Sequence, residues 1–102
     1  METTIKINIF GNKEVAEALP AVPVDKTLQA SLVSKSLVNR LSVPYEGTPA
    51  STVTDSTGRK HTVMGKVELR WHRSDSTKSQ TQRFSVVDSL ATDVILGASA
   101  KI

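Results

Sequence analysis

The chain contains no cysteine, few aromatic residues and no long hydrophobic run. Without cysteine, disulfide bonds, thiolate nucleophiles and thiolate metal sites are all excluded. The longest apolar stretches, such as residues 94–96, fall far short of the roughly 20 residues that a membrane-spanning helix needs. The first residues lack the basic-then-apolar pattern of a secretory signal. We therefore expect an intracellular, cytoplasmic protein with no membrane partner.

The length of 102 residues fits one domain, residues 1–102, with one core. Serine, threonine and valine are plentiful, whereas only four residues are aromatic. This composition favours strands with polar outer faces over a helical bundle. We expect a mostly β fold.

Alternation of apolar and polar residues marks the first strand, with Ile5, Ile7 and Ile9 on one face. Residues 14–19 suit either a helix or a strand, and we favour a strand that pairs back on the first. Pro20 and Pro23 forbid a regular helix and confine any strand there to an edge or a break.

The middle of the chain predicts one short helix. Residues 30–34 form a short apolar strand, and Ser34 can cap a helical turn over residues 35–41. Residues 42–51 contain two prolines and a glycine, which predicts a loop.

Residues 53–72 predict a β-hairpin with its turn at residues 55–58. The returning strand alternates, and its apolar face ends at Trp71, which we assign to the core. Residues 74–81 predict a second hairpin loop, and residues 84–87 and 93–97 predict short strands. We expect one shared core formed by Ile5, Ile7, Val33, Val67, Leu69, Trp71, Val86, Ile95 and Leu96.

Three segments, taken in order, resemble the retropepsin-like aspartic protease family. Val24 and Asp25 are followed at the family's spacing by the apolar strand at residues 31–34. Residues 54–69 are similar to the family's flap hairpin and the strand after it. Residues 84–97 end in Ile95, Leu96 and Gly97, which are similar to the family's late core strand. The resemblance covers nearly the whole chain and implies a small closed β-barrel with one short helix.

The resemblance also implies a mechanism and an assembly. Family members activate water with two aspartates that share one proton, since two adjacent carboxyl groups cannot both ionise. A chain of this length supplies one aspartate, here Asp25, so the resemblance implies a homodimer with the site on its twofold axis. In the family a threonine or serine and then a glycine follow that aspartate.

The residues after Asp25 depart from that pattern. Lys26 replaces the hydroxyl residue, and its charge is expected to keep Asp25 ionised. Thr27 replaces the glycine, and its β-branched side chain is expected to resist the tight turn. In a shifted alignment Thr27 takes the hydroxyl position, but Leu28 then stands where the glycine belongs. We therefore expect a catalytically degenerate pseudoprotease that acts as a protein- or peptide-binding or assembly module. The alternative is an active homodimeric aspartic endopeptidase that uses Asp25.

The candidate binding residues lie in two turns. They are Lys26, Thr27, Asp55, Ser56, Thr57 and Gly58. The order of residues 55–58 also suggests a second aspartate motif, but its polar surroundings favour a turn in which Gly58 supplies a positive φ.

No cofactor or metal site is expected. The five glycines are scattered, so no phosphate-binding loop is present. His61 and His72 lie far apart, without acidic residues at ligand spacing, and we interpret both as surface strand residues.

The net charge of +3 leaves a nucleic-acid-binding barrel as a second alternative. The densest basic region contains Arg70, His72, Arg73, Lys78 and Arg83. Trp71 lies within this region but is assigned to the core, and no other aromatic residue interleaves these charges to stack on bases, so we expect nucleic acid not to be the partner.

The last residues of the sequence are relevant to the homodimer that the resemblance implies. Family members continue past the residues that match Gly97 with a short helix and often a terminal strand that joins the dimer. The sequence has only five residues there. We expect either that the chain belongs to a longer polypeptide or that it does not dimerise in the family's way.

Overall fold

A computed structural model describes residues 3–11, 16–88, 90 and 92–100. Within these residues the fold is mostly β with one short helix, as predicted. The elements are β1 (Thr3–Phe10), β2 (Ala16–Val24), β3 (Ser31–Ser34), α1 (Lys35–Arg40), β4 (Glu46–Thr54), β5 (Lys60–Arg73), β6 (Gln80–Val87) and β7 (Val94–Ile95). The described residues contain no helix that is both long and apolar enough to cross a membrane.

The strands form one sheet in the order β2-β1-β5-β6-β3-β7, and β4 pairs with β5 beside this path. All pairs are antiparallel except β3 with β6. The path is open, and a single parallel bridge between Val24 and Leu96 connects its two ends. This bridge brings the end of β2 to the residue after β7.

The main core lies on the face that the alternating pattern predicted. Ile7 and Ile9 of β1 are buried, as are Val67, Leu69 and Trp71 of β5. Each buried side chain of this kind contributes roughly 1.5–3 kcal/mol through removal of its surface from water. Of the predicted core residues, Ile7, Val33, Val67, Leu69, Trp71, Val86 and Leu96 share this cluster, and Ile5 packs against it partly buried.

The prediction for Ile95 is wrong, because this residue packs on a different cluster. The second cluster consists of Leu28, Leu32, Val63 and Val87, with Ile95 partly buried against it. Neighbouring residues of a strand point to opposite faces, so Leu96 reaches the main core and Ile95 cannot.

Ser34 ends β3 and caps α1, as predicted. Its Oγ accepts a hydrogen bond from the Leu37 N–H at 3.1 Å. The helix buries Leu37 and Val38. It ends at Arg40, one residue before the predicted end.

β4 begins at Glu46, so the loop prediction is wrong for residues 46–51, whereas residues 42–45 lie outside helices and strands. The strand is exposed along most of its length and lacks an alternating pattern. Its pairing with β5 shifts register between Gly47 and Ser51, which accommodates Pro49. A side chain at Gly65 of β5 would meet the Tyr45 ring at 2.5 Å, so glycine permits this close approach.

Candidate functional site

Asp25 immediately follows β2 and is held against the segment after β7. Its N–H donates to the Leu96 carbonyl oxygen at 2.8 Å, and the Leu96 N–H donates to the Pro23 carbonyl oxygen at 2.9 Å. These two bonds fix the backbone on both sides of the Val24–Leu96 bridge. Asp25 therefore lies where the two ends of the sheet path meet, and these backbone hydrogen bonds hold it there.

Both carboxylate oxygens of Asp25 accept hydrogen bonds within the chain. Oδ1 accepts from the Thr27 N–H at 3.0 Å and from Thr27 Oγ1 at 2.5 Å. Oδ2 accepts from the Ser56 N–H at 2.8 Å. Asp25 thus stabilises its own turn and also connects it to the turn between β4 and β5.

Thr27 forms the turn that it was expected to resist. Among the described residues, Ser42 is the only non-glycine residue with positive φ. The turn therefore needs no glycine at position 27. The Thr27 hydroxyl, which a glycine would lack, is one of the donors to Asp25.

The pKa of Asp25 lies below its ordinary value. Burial raises it, but the hydrogen bonds from Thr27 and Ser56 outweigh burial and lower it. The carboxylate is therefore ionised at neutral pH, as expected, but through these donors rather than through Lys26. Lys26 is exposed and is not among the groups that shift the pKa.

Asp55 organises the turn of the β4–β5 hairpin. Its Oδ1 accepts from the Thr57 N–H at 2.9 Å, Thr57 Oγ1 at 2.5 Å and the Arg59 N–H at 3.1 Å. Gly58 has a φ of 86°, as the turn interpretation predicted. Residues 55–58 therefore form a turn built around one carboxylate, and this turn presents the Ser56 N–H to Asp25.

His61 is paired with Asp55 inside the protein, so its interpretation as a surface residue is wrong. Its Nε2 lies 2.9 Å from Asp55 Oδ2, and the two side chains are only 3% and 9% exposed. An ionised carboxylate can only accept, so Nε2 carries the proton. Hydrogen bonds from Thr57 and then from His61 are the largest causes that hold the pKa of Asp55 far below its ordinary value. His61 lies two residues before Val63 on the inward face of β5, and this spacing was the available sequence signal.

A cavity of about 230 Å³ lies beside the hairpin turn. Asp55, Thr57, Arg59 and His61 line one side, and Pro23, Leu90, Thr92 and Ile95 complete it. The lining combines apolar side chains with two hydroxyl groups, one guanidinium group and the paired Asp55 carboxylate and His61 imidazole. Of this lining the sequence analysis predicted only Asp55 and Thr57 as site residues. The second group joins them only through the tertiary fold.

The predicted site residues are therefore partly assembled. Asp25, Thr27 and Ser56 form one hydrogen-bonded group, and Asp55 and Thr57 support it from the hairpin. Lys26 lies outside this group. The described residues contain no set of three or more histidine, cysteine, aspartate or glutamate side chains that could hold a metal ion.

The basic region interacts largely with its own neighbours. The Arg70 guanidinium lies 4.4 Å from the centre of the Phe10 ring, and Arg73 pairs with Asp75 at 3.4 Å. His72 Nδ1 lies 2.7 Å from the Arg73 carbonyl oxygen. Several of its groups are thus engaged within the protein.

No protein-family model and no curated protein matches the chain.

Proposed function

We propose that this chain is a retropepsin-like domain that binds extended peptides without cleaving them. The main observation behind this proposal is that the Asp25 carboxylate is already hydrogen-bonded within the chain. Both of its oxygens accept hydrogen bonds from Thr27 and Ser56. A carboxylate in this setting stabilises the structure, whereas catalysis needs one that shares a proton and activates water.

The placement of Asp25 supports the relationship to the family. All three segments that carry the resemblance meet at this residue. β2 leads into it, the hairpin turn contacts it through Ser56, and Leu96 bonds to its backbone. In this proposal the fold is a closed barrel of the retropepsin type, with the Val24–Leu96 bridge at its closure.

The cavity beside the turn supports peptide binding. Its volume of about 230 Å³ suits one or two side chains of a bound segment. Leu90 and Ile95 offer apolar contact. The Arg59 guanidinium group offers donors to a peptide backbone, and the Thr57 hydroxyl oxygen, whose proton is donated to Asp55, offers an acceptor. A homodimer in the cytoplasm, with a segment of another protein as the partner, completes the proposal.

The test combines binding with cleavage. A peptide-display library is selected on the purified protein, and enriched peptides are incubated with it between about pH 4 and pH 7. We expect saturable binding and intact peptide by mass spectrometry, because loss of general acid–base catalysis removes roughly 10²–10⁴-fold in rate. Peptide turnover that disappears in Asp25→Asn would instead establish the endopeptidase.

A matched pair of variants locates the binding site. Thr92→Phe places a large side chain in the cavity, and Thr62→Phe places the same side chain on the exposed face of β5. We expect at least tenfold weaker peptide binding for the first variant and no change for the second. Thermal unfolding of both variants checks that they are folded. Equal binding by two folded variants would exclude the cavity as the peptide site.

A further inference from the structure

A second and larger cavity, of about 430 Å³, lies where β3 begins and β6 extends beyond it. β3 pairs with β6 only from Ser31 opposite Phe84, so the first residues of β6 lack this neighbour. The cavity lies beside these first residues of β6, in the space that β3 does not fill. It is lined by Gln29, Ala30, Lys66, Thr81, Gln82, Arg83, Ser85 and Ser99.

The charged residues that line this cavity are all positive. Lys66 and Arg83 contribute two positive charges from adjacent strands, and no aspartate or glutamate lines the cavity. Neither cation forms an ion pair with any part of the chain that the structure describes. Glu68 lies opposite Arg83 in the strand register but forms no ion pair with it. The two cations are therefore available to a ligand.

One wall of the cavity is held in place by side-chain hydrogen bonds. Buried Trp71 donates from Nε1 to Gln82 Oε1 at 2.9 Å, and Gln82 Nε2 donates to Ser99 Oγ at 3.2 Å. Ser85 lies opposite Lys66 in the strand register and is 8% exposed. Thr81 and Ser85 lie two residues on either side of Arg83, so their hydroxyl groups share its face of β6.

We propose that this cavity binds a phosphate group through Lys66 and Arg83. A phosphate monoester carries a charge of about −1.5 to −2 at neutral pH and three strong acceptor oxygens, which match two cations and several hydroxyl donors. Guanidinium is suited to two phosphate oxygens at once, while ammonium acts as a compact point charge. A planar carboxylate has fewer oxygens and less charge for the same donors. This site goes beyond the peptide-binding proposal, because none of its residues bonds to Asp25 or lines the smaller cavity.

The test is an NMR titration of the folded protein at constant ionic strength. Inorganic phosphate and O-phosphoserine are the two phosphate probes, and acetate is the carboxylate probe. We expect saturable shifts of the Lys66, Arg83 and Ser85 amides with phosphate, and much weaker effects of acetate. Tighter binding of O-phosphoserine identifies a phosphate ester as the source, and tighter binding of inorganic phosphate identifies the free ion.

Variants with the same net charge distinguish a specific phosphate-binding site from general electrostatic attraction of phosphate to the protein. Lys66→Gln/Arg83→Gln removes both proposed cations, and Lys35→Gln/Lys78→Gln removes two exposed lysines elsewhere. We expect phosphate affinity to fall at least tenfold in the first variant and to change less than twofold in the second. Thermal unfolding gives an independent readout, because a bound ligand raises the midpoint temperature. Equal weakening in both variants, shifts that do not saturate, or acetate binding as tight as phosphate binding would overturn the proposal.

Discussion

Asp55 should be among the most sensitive polar positions of this protein, because one buried carboxylate holds a turn and a histidine together. Asp55→Ala removes the acceptor for Thr57, the Arg59 N–H and His61. It leaves the His61 ring, 3% exposed, without its partner. A buried donor left unsatisfied costs about 1–3 kcal/mol, and the lost turn bonds add roughly 1 kcal/mol.

We therefore expect Asp55→Ala to lower the free energy of unfolding by about 2–4 kcal/mol. In a domain of this size that corresponds to a fall in midpoint temperature of at least about 8 °C. Urea unfolding can be followed by tryptophan fluorescence, since Trp71 is the single tryptophan and is fully buried. Asp75→Ala is the control, because that side chain is 74% exposed, and it should change stability by less than about 0.5 kcal/mol. Equal stability of the two variants would refute the role given to Asp55.

The pH dependence gives a second check on the same carboxylate. The pKa of Asp55 is lowered on folding, so its stabilising effect is complete above the unfolded value of about 3.9 and is lost as pH falls through the folded value. Asp55→Asn cannot ionise and lacks this contribution at every pH. The stability difference between wild type and Asp55→Asn should therefore shrink as the pH falls below about 4. A difference that does not change with pH would contradict the assignment.

Three further perturbations follow from the packing. Ser34→Ala removes the helix cap and should cost about 1 kcal/mol in urea unfolding, with faster amide exchange at Leu37; unchanged exchange would contradict the cap. Gly97→Ala would place a Cβ 2.7 Å from the Ala30 carbonyl oxygen, so we expect a loss of about 1–3 kcal/mol, and wild-type stability would contradict this packing. Arg40→Gln breaks two ion pairs in which the Arg40 side chain is about half exposed and its partners about one-third exposed. It should lower the free energy of unfolding, measured in urea, by less than about 1 kcal/mol. A larger loss would show that these pairs are not weak surface contacts.

The parts of the fold that sequence predicted are those with a strong local pattern. Alternation identified β1 and β5, and the cap at Ser34 identified the start of α1. The predicted hairpin included only residues 53–54 of β4. Residues 46–52 were missed because an exposed strand carries no alternation and depends on pairing with β5.

The site itself could be predicted only in part. The family resemblance singled out Asp25 and Thr27, and residue types indicated the turn at residues 55–58. The contact between Asp25 and Ser56 spans 31 positions and arises from the tertiary fold, so no local pattern indicates it. For the same reason the second wall of the smaller cavity, at Leu90 and Thr92, left no signal in the sequence.

The pKa of the Asp25 carboxyl group, measured by ¹³C NMR, tests the central claim most directly. If Asp25 is a structural acceptor for Thr27 and Ser56, it should titrate in one step below the ordinary value of about 3.9. Thr27→Val removes one donor and should move that step upward. An aspartate that shares a proton with a second copy would instead titrate in two steps, one of them raised. That result would contradict the structural role of Asp25 and would favour the alternative, an active homodimeric aspartic endopeptidase.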